Sequence, residues 1–250
     1  MYNNIYDFCK IRNVGGAHKN GKSMSPRVIF LIKLISSLGI EFRVDEFQSP
    51  KFIGNNFYNI IMAGSGDIAV TAHHDIVNPM SDNANDNSAS VINAIALKLL
   101  SPKTPIILLD GEEPPMMGVG STRASQCMKS GEYGMSISSV LNFELTGKGG
   151  DNFFIGDYEG PLNNKIISIF NPPVIRTPFN DADIFIRNGI DSTVINPLPP
   201  TNKRSHVKYR GVNLDFSILH NCHSMSDNVS SIDVDDMKDF VEKVALRIVS

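Results

Sequence analysis

Cysteine is scarce in this chain: Cys9, Cys127 and Cys222 are its three cysteines, odd in number, far apart and without a CxxC pair. That leaves no disulfide framework and no thiolate cage for a metal, and it points to free thiols in a reducing compartment. An excess of charge of one sign is also missing. With 23 Lys and Arg against 26 Asp and Glu, the formal net charge is −3, so no global positive field draws in nucleic acid or an anionic membrane. No apolar run is long enough to span a bilayer, because VIFLIKLI and VINAIALKLL are each broken by a lysine. The N-terminal MYNNIYDFCKIR has no apolar stretch behind a basic start. The expectation is therefore a cytoplasmic protein with no signal peptide. Tryptophan is absent altogether.

What is present suits a globular chain able to bury a sizeable core, with 42% hydrophobic and 20% charged residues in 250. Short apolar strands alternate with longer helical patterns, which predicts an α/β fold with a mixed or parallel sheet covered by helices. SPRVIFLIKLISSLG (25–39) opens on Ser-Pro and closes on Gly, as a helix should. EFRVDEF and FYNIIMAG predict strands, and a GSGD turn leads into DIAVTAH, a strand ending at His73. Residues 86–100 carry Val91, Ile92, Ile95, Ala96 and Leu99 at helical spacing, which predicts a helix with Asp86 at its start. TPIILLDG and SSVLNFEL predict buried strands, STRASQCMKSG and FNDADIFIRNG helices, and DSTVINPLPP a further strand. The terminal SSIDVDDMKDFVEKVALRIVS predicts one long amphipathic helix behind a Ser/Asp cap. Residues 197–222, rich in Pro and polar side chains, predict an irregular wall or lid.

Five residues along this frame are potential metal ligands: His73 in AVTAHHDIV, Asp86 in NANDNSAS, Glu113 in ILLDGEEPP, Glu144 in LNFELTG and His223 in HSMSD. Two imidazoles and three carboxylates suit a pair of zinc ions sharing one bridging carboxylate. Glu112, beside Glu113, is then placed to handle a proton on metal-bound water. In His73-His74-Asp75 alternate side chains share one face of a strand end, where sites in open α/β sheets gather. His73 can bind a metal while Asp75 fixes its orientation.

Taken singly, each signal has a bland reading: a surface turn for His-x-Asp, an N-cap for Asp86, a solvated turn for the Glu pair and a helix-entry loop for HSMSD. Two acids directly after IILL are nevertheless costly without a cation or a wet cleft, and an acid inside VLNFEL needs a partner or a shifted pKa. A metal ion answers both needs. His18, His206 and His220 carry no matching motif and read as loop or surface residues, with His74 the non-ligand of its motif. The basic run KRSHVKYR (203–210) reads as a solvated loop face, a cleft wall or a receiver for a substrate carboxylate, rather than a nucleic-acid site.

AHHD (72–75), NANDNSAS (83–90), GEE (111–113) with Gly120-Ser121 beyond, NFELTG (142–147) and HSMSD (223–227) follow one another in a telling order. They resemble the motifs of the co-catalytic zinc peptidase family that holds bacterial leucine-type aminopeptidases, glutamate carboxypeptidase II and the animal glutaminyl cyclases. The resemblance covers residues 57–249. It implies a three-layer αβα fold with a central mixed, mostly parallel sheet of about eight strands. It also implies one catalytic domain over 1–250, with residues 1–56 packing helices and a strand onto a metallopeptidase core of 57–250.

Two zinc ions per chain are implied: one on His73, Asp86 and Glu144, the other on Glu113, Asp86 and His223, with Asp86 as the bridge. Glu112 is then the general base, Asp75 the orienter of His73, and Asp181 a retained acid of the site. There are departures. Glu144 stands where many of the aminopeptidases have Asp, Ala182 replaces a His beside Asp181, and Ser90 replaces a Gly. No inserted domain fits between Glu144 and His223, so larger lid-bearing relatives are poor guides.

The implied function is a metal-dependent exopeptidase, foremost an aminopeptidase on short peptides. The alternative is a glutaminyl-peptide cyclotransferase on the same scaffold with a single zinc, where Glu112, Glu144 and Asp181 would handle the proton. The animal cyclases place Trp around the substrate ring, however, and have an aromatic where this chain has Cys222. A degenerate binding module would have lost a ligand or Glu112, and neither is lost. The expected partner is a peptide or peptide-like substrate, with no nucleic acid, no membrane and a monomeric chain.

Overall fold

The computed structural model describes residues 1–12 and 24–250, so His18 lies outside the described residues. Eight strands form one sheet: β1 (Arg43–Gln48), β2 (Asn56–Met62), β3 (Ile68–His73), β4 (Ile106–Leu109), β5 (Ser139–Phe143), β6 (Phe153–Gly156), β7 (Val174–Ile175) and β8 (Asp191–Pro197). Their order is β1-β2-β4-β3-β5-β8-β6-β7. Pairings β3–β4, β3–β5, β5–β8 and β6–β7 are parallel, and β1–β2, β2–β4 and β6–β8 are antiparallel. The expected mixed, mostly parallel sheet is the one observed.

Side-chain alternation divides this sheet between two cores. Ile106 and Leu108 of β4 face the larger hydrophobic cluster, while Ile107 and Leu109 face the smaller one. Helices α1 (Asn4–Cys9), α2 (Pro26–Ser37) and α3 (Ala89–Leu100) cover the first face, contributing Ile5, Val28 and Ile92. Helix α4 (Val119–Ser130) covers the second with Ala124 and Cys127. Helix α5 (Pro161–Phe170) returns to the first face, and α6 (Asp181–Arg187) packs Phe185 into the second. The last helix, α7 (Val234–Asp239), runs on through a π-type segment, Phe240–Ala245, into Leu246–Val249. Asp233 caps it by accepting from Asp235 N and Asp236 N. These are the three layers of an αβα sandwich, and β3, β4 and β5 are buried along their whole length, as parallel strands between helices must be.

Two expectations need correction. Helix α3 begins at Ala89 rather than Asp86, because residues 84–88 form a tight polar turn in which Asp86 (φ −110°, ψ 87°) and Asn87 (φ −133°, ψ 29°) leave helical geometry. The side chains of NANDNS compete for backbone hydrogen bonds, and the N–H groups of Asn85 and Asp86 are taken by Asp227. Residues 197–222 are also more regular than expected. They hold a three-stranded sheet of β9 (Pro200–Thr201), β10 (Lys208–Tyr209) and β11 (Val212–Leu214), then a 3-10 turn over Phe216–Asn221. Buried Tyr209, whose hydroxyl donates to Phe170 O at 3.1 Å, pins this lobe to the core.

Gly120 shows how tightly α4 seats on the end of β4. A Cβ there would collide with the backbone of Asp110 and lie 2.8 Å from Asn59 Oδ1. Gly120→Ala is expected to destabilise the fold by about 1–3 kcal/mol, read as a lower urea midpoint with an unchanged m-value.

Candidate metal centre

Each candidate side chain leaves a strand end or a turn at the C-terminal edge of the central strands. Strand β3 ends at His73 and continues into His74 and Asp75; β4 is followed by Glu112 and Glu113, and β5 by Glu144. Asp86 arrives from the turn before α3 and His223 from the segment after the 3-10 turn.

There they converge in two groups. His73 Nε2 lies 3.2 Å from Glu144 Oε1 and 3.4 Å from Asp86 Oδ1. His223 Nε2 lies 3.0 Å from Glu113 Oε2 and 3.3 Å from Asp86 Oδ2. The two oxygens of Asp86 thus face different imidazoles. Glu112 Oε2 stands 3.9 Å from His73 Nε2, at the edge of the cluster. All five expected ligands and Glu112 are brought together.

The donor set fits a divalent cation. Ligand atoms of His73, Asp86 and Glu113 lie within 4.8 Å of one another. Both Glu113 oxygens are buried without an aligned hydrogen-bond partner, although His223 is beside one of them. Apart from the hydrogen-bonded His73–Glu144 pair, these donors gather within reach of one point, as ligands do around an ion. Buried acids left in that state are costly without a cation.

Proton affinities reflect the crowding. Burial pushes the Glu113 carboxyl up to about 7. Burial, together with Asp181, Glu144 and Glu113, also lifts Glu112 well above the carboxylate range. Glu144 is raised by burial. Burial opposes a charge on His73, yet Glu144, Asp75, Asp86 and Glu112 lift it well above an ordinary histidine. Glu113, first among its acidic neighbours, raises His223 to about 9.

The surrounding hydrogen bonds fix these groups in place. Asp75 Oδ1 approaches His73 Nδ1 at 3.5 Å, without an aligned hydrogen bond between them. The same carboxylate accepts Glu112 N at 3.2 Å and Glu113 N at 3.0 Å. Asp227 accepts Asn85 N at 2.7 Å and Asp86 N at 3.0 Å, holding the Asp86 turn. Asn87 and Asn142 both donate to Glu144 Oε2, leaving Oε1 to face His73. These supporting roles of Asp227, Asn87 and Asn142 escaped the sequence reading, although Asp227 closes the HSMSD motif and Asn87 lies inside NANDNSAS. Asp181 is fully buried, and burial pushes it to about 7; it couples electrostatically to Glu112 but does not line the cavity. His206 and His220 are exposed, and His74 is buried with Nε2 2.8 Å from Tyr58 O.

A cavity of about 340 Å³ opens over the cluster. Asp86, Glu112, Glu113, Glu144 and His223 form its acidic floor, and Met117, Leu145, Phe154, Phe179, Val194 and Leu219 its apolar walls. Among the described residues no Lys or Arg lines it. The expectation that KRSHVKYR walls the cleft is corrected: Lys203, Arg204 and His206 line a separate cavity against Asp215 and Phe216. The short strands of the 197–222 lobe turn that basic run away from the acids.

The sign of the pH dependence follows for metal-free protein. Glu113 and Asp181 rise to about 7, Asp227 to about 6 and His223 to about 9. Each of these groups binds more protons folded than unfolded, so stability falls as pH climbs through this window. Thermal unfolding of chelator-treated protein is expected at higher temperature at about pH 5 than at about pH 9, with zinc restoring stability at the higher pH.

Among solved structures the fold is similar to BSAP, a zinc aminopeptidase from Bacillus subtilis, at 18% identity and TM-score 0.58, over 79% of this chain and 50% of that one. It is similar to a glutaminyl cyclase from Porphyromonas gingivalis at 18% identity and TM-score 0.66, over 100% and 97%. A Zn-dependent exopeptidase from Parabacteroides distasonis gives 14% identity and TM-score 0.68, over 100% and 98%. The chain thus spans about half the length of the Bacillus enzyme. Comparison with curated proteins gives no match. Residues 59–247, from β2 to the terminal helix and with every candidate ligand inside, match the profile of peptidase family M28, and the chain belongs to that family.

Proposed function

We propose that this protein is a zinc-dependent exopeptidase, an aminopeptidase that removes residues from the amino end of short peptides. The observation that carries this reading is Asp86, whose two oxygens face two imidazole–carboxylate pairs at the floor of a cavity that no Lys or Arg among the described residues lines. His73, Asp86 and Glu144 would hold one zinc ion and Glu113, Asp86 and His223 a second. Bound there, zinc supplies Lewis acidity toward a water and a scissile carbonyl.

The remaining chemistry belongs to the chain. Glu112 takes a proton from the attacking water and returns it to the leaving amine, a task suited to an acid whose burial raises its proton affinity. Asp75 holds the backbone of Glu112 and the ring of His73 in register. Acids on the cavity floor attract a free α-ammonium and repel an α-carboxylate, which favours the amino end of a peptide over its carboxyl end. The apolar walls receive the adjoining side chain.

A second reading, glutaminyl-peptide cyclotransfer with one zinc, is favoured by the 3.2 Å contact of His73 with Glu144, which satisfies that pair without an ion. The cyclase-like structure of matching length is consistent with it. Metal stoichiometry, aminoacyl-nitroanilide turnover and cyclisation of a Gln-initiated peptide separate the two. Equal cleavage of N-acetylated and free peptides would sink the aminopeptidase assignment.

Glu112→Gln is expected to keep its metal and lose about 10²–10⁴-fold in kcat/KM. Asp86→Ala is expected to lose both metals by elemental analysis, because each donor set uses one of its oxygens.

A further inference from the structure

Arg27 heads the largest fully buried side chains, at 1% exposure, and lies before the family-matched stretch. Among the described residues the hydrogen-bond partners of its guanidinium are all neutral. Nε donates to His74 O at 2.7 Å and Nη2 to Ser88 Oγ at 2.9 Å. Nη1 donates to Phe8 O at 3.3 Å and Ile11 O at 3.2 Å, while the guanidinium carbon sits 3.8 Å over the Phe8 ring. Burying a cation among neutral acceptors is unfavourable unless a field of opposite sign lies nearby. Burial pulls the guanidinium down to about 10, and the groups that oppose this are the Cys9 thiol and then Asp75, the one acid of the site among them.

The two site-side acceptors are the informative ones. His74 O belongs to the peptide that joins His74 to Asp75, one residue beyond the end of β3, and Ser88 closes the turn that carries Asp86. We infer that Arg27 is a positioning residue for the metal centre, its planar fork tying the end of β3 to the Asp86 turn and so setting the separation of His73 from Asp86. The inference rests on the two-donor-set reading given above. A planar guanidinium serves four acceptors from fixed directions, which a lysine ammonium on a flexible stem does not reproduce. The fork also couples the end of α1, through the Phe8 and Ile11 carbonyls, to the site. The N-terminal helices thereby bear on zinc affinity although they supply no ligand.

A buried cation with a purely structural role is present for comparison. Lys98 donates to the carbonyls of Ala63, Pro102 and Thr104, beyond the N-terminal end of β4 and away from the acids. The test is competitive zinc titration of the full chain, with thermal unfolding in parallel, for wild type, Arg27→Met, Arg27→Lys, Ser88→Ala and Lys98→Met. Arg27→Met is expected to weaken zinc binding by about 10–100-fold, the range found when groups supporting metal ligands are removed. Arg27→Lys and Ser88→Ala should fall between it and wild type. Lys98→Met should lower the unfolding temperature and leave zinc affinity unchanged. If the Arg27 and Ser88 variants unfold earlier yet bind zinc as wild type does, the positioning role is overturned. Should Arg27→Met not fold, Arg27→Lys and Ser88→Ala decide alone. Wild-type protein that binds no zinc overturns the metal-centre reading and the inference with it, a result distinct from variants that merely match wild type.

Discussion

Mutual repulsion among buried and half-buried acids is the constraint around which this fold is arranged. Asp75, Asp86, Glu112, Glu113 and Glu144 converge at one edge of the sheet with two imidazoles among them. Left to themselves, such groups would separate or take up protons. They are held together by N–H donors fixed to rigid elements: backbone amides of the Glu pair on Asp75, and side-chain amides of Asn87 and Asn142 on Glu144. The electrostatic cost of this assembly is what a divalent cation would relieve, so binding strength and apo-state strain have one origin.

The sheet supplies the rigidity that the arrangement demands. Three adjacent parallel strands, β4, β3 and β5, deliver Glu113, His73 and Glu144 from their C-terminal ends, with neighbours at fixed spacing. Both faces of these strands are packed against helices, so displacing one ligand means shifting a buried strand. The cavity above combines an acidic floor with apolar walls, a lining that would orient the proposed substrate by its cationic end and its apolar side chain.

Much of this was legible in the sequence for an identifiable reason. The strands that lead to the candidate ligands are mostly apolar, IAVTAH, IILL and SVLNF, and the polar residues in or just after such runs stand out as needing a purpose. Asp86 was legible as a candidate ligand and misplaced as a helix start, because the polar side chains of NANDNS, not hydrophobic spacing, decide the backbone there. The two-residue strands β9 and β10 are too short to show alternation and depend on Tyr209 reaching the core. Helix α5 did carry a signal, with Pro161 at its start and Leu162, Ile166 and Phe170 four apart, but no element was predicted there. Arg27 was hidden inside an ordinary amphipathic helix, since nothing local distinguishes a buried arginine from a surface one.

Asp75 is shared equipment. One buried carboxylate lies 3.5 Å from the ring of His73 and accepts the backbone N–H of Glu112, so under the proposed function ligand geometry and proton handling would hang from a single hook. Damage to either half would then be felt by the other, and the contributions of residues 73 and 112 to the proposed turnover would not separate into independent parts. Any drift of the sequence that retunes one must accommodate its twin.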